Sequence, residues 1–362
     1  MSTPRIVRVD LPEGSYDITI APHLLRDAGG ILRSLSKSNR AAIVTNEIVR
    51  DLHAGALDAS LRDAGFDPIT AVIGDGETYK SLEGFGTICD TLLEARIERS
   101  TPLLALGGGI VGDMGGFAAA TLLRGLPFFQ LPTSLLAMVD ASVGGKTGIN
   151  HRTGKNLIGA FHQPKAVLID IATLATLPPR ELRSGLAECI KHEIIRDTDG
   201  FAHLERTIDR ALALDLSYLA ELVTHNVQIK ARVVQADPFE HGERAHLNFG
   251  HTFGHAIETI SNYRHTHGEC VALGMSAASF AARELKLIDD TARRRIVGLI
   301  AQAGLPTSGM GCDIEQVMTA MHSDKKVRSG RVRFILPDRI GHVIIRDDLP
   351  ESLVREALAS IA

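Results

Sequence analysis

The chain predicts two fold classes in succession, an α/β part with a mainly parallel sheet and then an all-α part. Three observations carry this. Short β-type runs alternate with amphipathic stretches up to about residue 178, and right-handed crossovers turn such alternation into a parallel sheet. At Leu177-Pro178-Pro179 the alternation stops and helical periodicity takes over. The length, 362 residues at 44% hydrophobic, suffices for two cores rather than one. The expected domains are 1–178 and 179–362.

Taken in order, a turn at LPEGS joins strands at Ile6–Val9 and Tyr16–Ile20. Ala41–Thr45 reads as a buried strand and Ile48–Ala64 as an amphipathic helix. Ile69–Ile73 is a strand, followed by the loop GDGETYKS and a helix reaching about Arg96. Leu103–Leu106, Phe128–Leu131 and Ala166–Asp170 complete the strand set. Helical periods follow at 180–196, 200–213, 215–236, 250–261, 268–286, 290–303 and 313–322. VRFIL and HVIIR around PDRIG (332–346) predict one late hairpin.

Charge and cysteines narrow the function classes. Thirty-nine basic against 43 acidic side chains give −4, which leaves no electrostatic footprint for nucleic acid or an anionic membrane. The N-terminus lacks the apolar core of a signal peptide, and no segment is long enough to span a bilayer. Cys89, Cys189, Cys270 and Cys312 are widely separated, as expected of free thiols in a reducing compartment. A soluble, cytoplasmic protein is expected.

Four stretches carry chemistry. In LLALGGGIVGDMGGF, a strand runs into Gly107, Gly108, Gly109 and Gly112, then Asp113, with helix after. Glycines 107, 109 and 112 satisfy G-x-G-x-x-G, and a helix N-terminus there presents N–H groups to a pyrophosphate. The acidic residue about 20 positions on is missing near Pro132, so the loop reads as a phosphate cradle for a dinucleotide but not in the usual Rossmann arrangement; a tight strand-to-helix turn that needs glycine for sterics alone is the alternative. Asp75, Glu77 and Lys80, and Thr133 and Ser134, follow strands and fall at the same carboxyl edge. The second stretch, VDASVGGKTGINHRTGKNLIG, holds Asp140, Lys146, Lys155 and Asn156 among five glycines. A Walker A loop would need glycine where Asp140 stands, so the lysines point to a small anionic ligand; a flexible solvated loop is the alternative.

The third stretch, GLAECIKHEII, puts Glu188 and Lys191 on one helical face. In the fourth, Arg244–Glu269, five of the fifteen histidines fall between 246 and 267. Spacing alone nominates His251 with His255 as a metal or acid–base pair, since i and i+4 share a face. Asn248 adds an amide one turn earlier; Lys230, Glu240 and Arg244 precede the stretch, and Lys325 and Lys326 lie in a late loop.

The motifs GDGETYKSL, LGGGIVGDMGGFAAATLLRG, QLPTSLLAMVDASVGGKTGIN, GKNLIGAFHQP, LPPRELRSGLAECIKH, ERAHLNFGHTFGHAIE, HGE and DKKVRSG resemble the 3-dehydroquinate synthase family from about residue 41 to 335. The resemblance implies a Rossmann-like N-terminal NAD-binding domain, an α-helical metal- and substrate-binding C-terminal domain, and an active site between them. It implies a divalent metal, zinc or cobalt, on Glu188, His251 and His267, which makes His255 a substrate-side residue. Implied substrate and relay positions are Asp140, Lys146, Lys155, Asn156, Lys191, Lys230, Glu240, Arg244, Asn248 and a lysine of Lys325 and Lys326.

Implied NAD contacts are Asp75, Gly76, Glu77, Thr78, Tyr79 and Lys80 in one loop, and Gly109, Ile110, Val111, Gly112 and Asp113 in another. Thr133 and Ser134, Lys146 and Lys155, and Thr173, Leu174, Ala175 and Thr176 complete that set. Arg124 matches an arginine that reaches a neighbouring subunit's site, which implies a homodimer. Departures are few: Pro238 and Phe239 replace charged residues, Ser134 stands for a common Thr, and His192 for a common Tyr.

The family reaction converts 3-deoxy-D-arabino-heptulosonate 7-phosphate to 3-dehydroquinate and phosphate. It runs through transient oxidation by NAD, β-elimination, re-reduction and intramolecular aldol closure. Another sugar-phosphate cyclase would share fold, NAD and metal, but retention of Asn248, His255, Arg244 and the DKK lysines favours dehydroquinate. A metal-dependent glycerol dehydrogenase-type enzyme would not need so many phosphate- and carboxylate-directed groups. A non-enzymatic NAD sensor would not need the polar set at all.

Overall fold

Apolar runs without alternation become strands buried on both faces, which is how the centre of the first sheet is built, while its two edge strands keep exposed positions. In the computed structural model, which describes residues 3–12, 14–240, 242–262, 264–323 and 332–362, these strands are β1 (Arg5–Val9), β2 (Tyr16–Ala21), β3 (Arg40–Asn46), β4 (Asp67–Ile73), β5 (Leu103–Gly107) and β6 (Phe128–Pro132). After β7 (Lys146–His151) and β8 (Gly154–Phe161), which form a separate pair, comes β9 (Ala166–Asp170). Seven strands run in the order β1-β2-β9-β6-β5-β3-β4. Every neighbouring pair is parallel except β1 with β2. Helices cover both faces, closing one core around Val44, Ile88, Met114 and Phe117 and another around Leu32, Leu61, Leu104 and Phe129. Connections leave β3 and β5 in opposite directions, so the carboxyl ends of these two neighbours form a switch point where open sheets bind ligands.

The glycine-rich stretch after Asp140 is no loose loop. Lys146–His151 and Gly154–Phe161 pair antiparallel, and Ile149, Ile158 and Ala160 join the core that includes Met114. Glycine runs hide strand periodicity, because a residue without a side chain shows no face.

The chain divides into two compact units, residues 1–178 with 216–235, and 179–215 with 236–362. The helix Leu216–Ala236 therefore belongs with the sheet, whereas a single division at 178 would give it to the helical part. Periodicity reveals a helix but not which core its apolar face fills.

In the second unit, helices span Pro179–Arg196, Thr198–Leu212, His251–Ile260, His267–Glu284, Asp290–Gln302 and Ile314–Ser323, and a further helix, Glu351–Ala359, closes the chain. The expected hairpin forms as β10 (Phe334–Arg339) and β11 (His342–Arg346). Two local features position later chemistry. Thr266 and Glu269 form a reciprocal capping box that starts a helix at His267. A Cβ at Gly268 would lie 2.1 Å from the Ser184 carbonyl oxygen, so only glycine lets this helix touch Pro179–Arg196 so closely. No described helix is long and apolar enough to cross a membrane.

Candidate functional site

Strand ends and the glycine turn build the first cluster, in the sheet unit. A Cβ at Gly107 would strike the Val111 side chain at 2.6 Å, and one at Gly112 would meet Gln130 Oε1 at 2.8 Å, so packing explains both. Packing does not explain Gly109, where a Cβ would make only ordinary contacts from 3.5 Å. Its bareness suits close approach of a ligand to the N-terminus of Gly109–Thr121, whose N-cap Gly108 offers no side-chain cap. Thr133 is buried and donates its N–H to the Gly107 carbonyl at 3.0 Å, and Ser134 lies beside Gly108.

The loop after β4 is tied down by charge. Lys80, 5% exposed, donates to Asp113 Oδ2 and to Asn156 Oδ1, each at 2.6 Å. Lys155 Nζ lies 3.2 Å from Glu77 Oε1, and Asn150 Nδ2 donates to the same oxygen at 2.8 Å. Burial alone would push the Glu77 carboxyl up, but Lys155 and Lys80 outweigh it and hold it below the usual range. Asp75 accepts from Asn46 Nδ2 at 2.6 Å, which brings Asn46, at the end of β3, into the switch point. Thr176 Oγ1, in the turn Ile171–Thr176, lies 2.9 Å from His53 Nε2, whose ring burial holds below its ordinary value. Asp140 lies within a wide π-type turn, Ala137–Ala141, and accepts from the buried Lys230 of the helix Leu216–Ala236. Lys230 thus folds with the sheet unit. Lys146 is exposed at the start of β7.

The second cluster lies in the helical unit. Glu188 Oε1 stands 3.6 Å from His251 Nε2 and 3.4 Å from His267 Nε2, with Glu188 fully buried. Its other oxygen accepts from Lys191 Nζ. His251 Nδ1 lies 3.1 Å from the Phe249 carbonyl oxygen, which leaves Nε2 for the cluster. His267 Nδ1 faces Glu258 Oε2 at 3.7 Å. Such a carbonyl or carboxylate behind an imidazole is how metal-binding histidines are oriented. Burial lowers both rings; Lys191 drives His251 further down, whereas Glu188 and Glu258 overcome burial at His267 and push it up to about 10. The cluster thus holds a buried carboxylate that favours positive charge beside it.

One carboxylate and two imidazoles, ligand atoms within 4.8 Å of one another, fit a zinc-type ion with open positions. His255, with ring centroid 5.1 Å from His251, belongs to a second such grouping with Glu258 and His267. Arg244 is buried; its N–H donates to Asp237 Oδ2 at 3.1 Å and its guanidinium to the Pro238 carbonyl. Asn248 Nδ2 donates to Glu240 Oε1 at 2.9 Å.

Not every nominated residue joins these clusters. Arg124 stands exposed on a separate turn, and Lys325 and Lys326 lie outside the described residues. Conversely, Asn46, Asn150 and Glu258 were not nominated. Glu258 had a signal, since it lies seven residues after His251 on the same helical face. Asn150 had none.

The comparisons with known proteins agree across the whole chain. Residues 70–184 match the family described as 3-dehydroquinate synthase N-terminal, and 185–327 match 3-dehydroquinate synthase C-terminal. The chain is similar to the 3-dehydroquinate synthase of Picosynechococcus sp., 48% identical over 97% of this chain and 98% of that one. It is similarly close to that of Nostoc punctiforme, 45% identical over 98% of each. Among solved structures it resembles a 2-epi-5-epi-valiolone synthase from Streptomyces hygroscopicus with NAD+ and Zn2+ bound, at TM-score 0.90 and 31% identity over 97% of this chain and 98% of that one. A probable glycerol dehydrogenase from Sinorhizobium meliloti shares the fold at TM-score 0.65 and 16% identity over 95% of each.

Proposed function

Because the chain belongs to the 3-dehydroquinate synthase family, we propose that its two clusters divide that enzyme's work, the sheet unit holding NAD and the helical unit a divalent metal. The activity is a carbon–oxygen lyase reaction, release of phosphate from the heptulosonate phosphate with formation of 3-dehydroquinate. The observation that carries the assignment of residues is the meeting of Glu188 Oε1 with the Nε2 atoms of His251 and His267. When bound, NAD supplies reversible hydride transfer and the metal ion, zinc or cobalt, supplies Lewis acidity. The 31% identical valiolone synthase holding NAD+ and Zn2+ supports both groups.

The chain's own residues do the rest. Asp75, Glu77 and Lys80 and the bare Gly109 turn seat the dinucleotide, with Thr133, Ser134 and Thr173–Thr176 along the same edge of the sheet. Lys146, Lys155 and Asn156 in the sheet unit, and Arg244, Asn248 and His255 in the helical unit, bind phosphate and carboxylate. Lys191 secures the Glu188 carboxylate, and Glu258 orients His267. Asp140 bonded to Lys230 is suited to passing a proton to or from a substrate hydroxyl, as is Glu240, whose carboxylate Asn248 holds.

We place the enzyme in the cytoplasm as a homodimer. Its four cysteines are free thiols. Leu123 and Arg124 sit at φ of 50° and 66°, a left-handed turn that holds Arg124 out from the surface and costs about 1–3 kcal/mol per residue unless something over-determines it. Sedimentation of a fully active monomer would refute the dimer. The test of function is to supply the heptulosonate phosphate with catalytic NAD: one phosphate per substrate is expected, with no net growth in NADH absorbance. Stoichiometric NADH without phosphate would establish the dehydrogenase reading that the glycerol dehydrogenase fold also permits.

A further inference from the structure

The structure assigns to Asn150, at the irregularity of the β7–β8 hairpin, the positioning of Lys155 and Asn156 against the loop Glu77–Lys80. The register carries the argument. Ile149 pairs with Ile158 and His151 with Gly154, so Asn150 alone stands opposite Lys155, Asn156 and Leu157. A bulge of this kind re-aims side chains that a regular strand would send to opposite faces. Here Asn156 takes a left-handed φ of 52°, and both successive side chains reach one loop, Lys155 to Glu77 and Asn156 to Lys80.

A bulge leaves ladder groups without strand partners, and Asn150 supplies them. Its backbone N–H donates to the Lys80 carbonyl at 2.8 Å. Its Oδ1 accepts from the Asn156 N–H at 2.9 Å, in place of a ladder carbonyl. Its Nδ2 donates to Glu77 Oε1 at 2.8 Å, the oxygen that also faces Lys155. One amide thus uses its acceptor on the hairpin and its donor on the loop. A carboxylate, which only accepts, could not do both, and a hydroxyl would have to do both from a single oxygen rather than from two atoms set apart. Asn150 touches neither substrate nor cofactor in this account; it sets where Lys155 and Asn156 stand, and so rests on the reading of those two as ligand-binding residues.

The experiment uses the full-length enzyme with NAD and metal. Asn150→Ala is expected to lower kcat/KM for the heptulosonate phosphate by about tenfold to a hundredfold, the cost of misplacing a binding group by about an ångström. Hydrogen exchange should quicken at 154–158 and 77–80 while the helical unit keeps its wild-type rates. Asn150→Asp should be as poor, because its carboxylate faces Glu77. Adding Glu77→Gln to it should recover activity to within about twofold of Glu77→Gln alone, since the amide introduced at 77 donates to the carboxylate introduced at 150. That coupling is a readout that a loss of general stability would not produce, and it decides the matter if Asn150→Ala fails to fold. Additive losses in the cycle, or wild-type kinetics in Asn150→Ala despite quickened exchange, would overturn the assignment. Lys155→Ala separates the two layers: full activity there refutes the ligand-binding reading, whatever the cycle shows.

Discussion

The two clusters solve opposite problems with similar residues. In the sheet unit, Asp113, Lys80, Asn156, Asn150, Glu77 and Lys155 form a continuous chain of bonds in which each charge meets a complementary group of the same unit. In the helical unit, Glu188, His251 and His267 bring three Lewis bases to one place, and Lys191 satisfies only one carboxylate oxygen. A satisfied network rigidifies a loop and needs no ligand to hold its shape. A gathering of bases is stable only with a cation among them, a proton or a metal. The first cluster is a scaffold that presents groups, the second a gathering of groups that could hold a metal ion.

That contrast is most sharply tested by His267→Ala. It should abolish stoichiometric zinc binding and with it activity, whereas His255→Ala should keep the metal and lose activity. Metal analysis of both variants checks this; loss of metal from His255→Ala with retention in His267→Ala would favour the pair that spacing nominates, His251 with His255, over both groupings that contain His267. Next in size, Glu258→Gln should weaken zinc affinity by about tenfold to a hundredfold, as removal of a carboxylate behind a liganding imidazole does. Competition with a chelator measures it, and unchanged affinity would leave Glu258 a packing residue.

Smaller effects separate the two clusters by stability. Thr266→Ala removes the cap that starts the helix at His267 and should cost about 1 kcal/mol, read as a lower denaturation midpoint in the metal-free protein. A midpoint equal to wild type would show that the capping box is not what holds this helix end. The smallest effect concerns pH. Glu77 is held below its ordinary value, so its stabilisation is complete above that value, near 4.5, and fades as pH falls through the lower folded one. Glu77→Gln should therefore be less stable than wild type at neutral pH, with the gap narrowing below about pH 4.5. Denaturation at pH 7 and pH 3.5 tests the sign. A gap that widens in acid would contradict it.

Much of this was legible before any coordinates. Apolar runs at 41–45, 103–106 and 128–131 become central parallel strands, because a strand covered on both faces is apolar at nearly every position. The change of period at Leu177-Pro178-Pro179 falls where the first long helix of the helical unit begins, at Pro179. Motif likeness nominates Glu188, His251 and His267, whose ligand atoms the fold brings within 4.8 Å of one another, whereas spacing alone favours His251 with His255. Spacing sees only neighbours on one helix, and these three come from three helices.

What only the tertiary structure decided shares one physical cause, contact between residues far apart in the chain. Glycine at 268 is an unremarkable letter until a neighbouring helix backbone stands 2.1 Å from where its Cβ would be. Lys230 reads as part of the approach to the histidines, yet its helix folds back onto the sheet unit and meets Asp140. Asn150 is one polar residue in a glycine-rich run, and its three bonds exist only because the strand opposite bulges. Local pattern is written by the periodicity of a single element, so the sequence determined which elements form and which chemistry they carry. The packing of one element on another set which residues meet, and no periodicity records it.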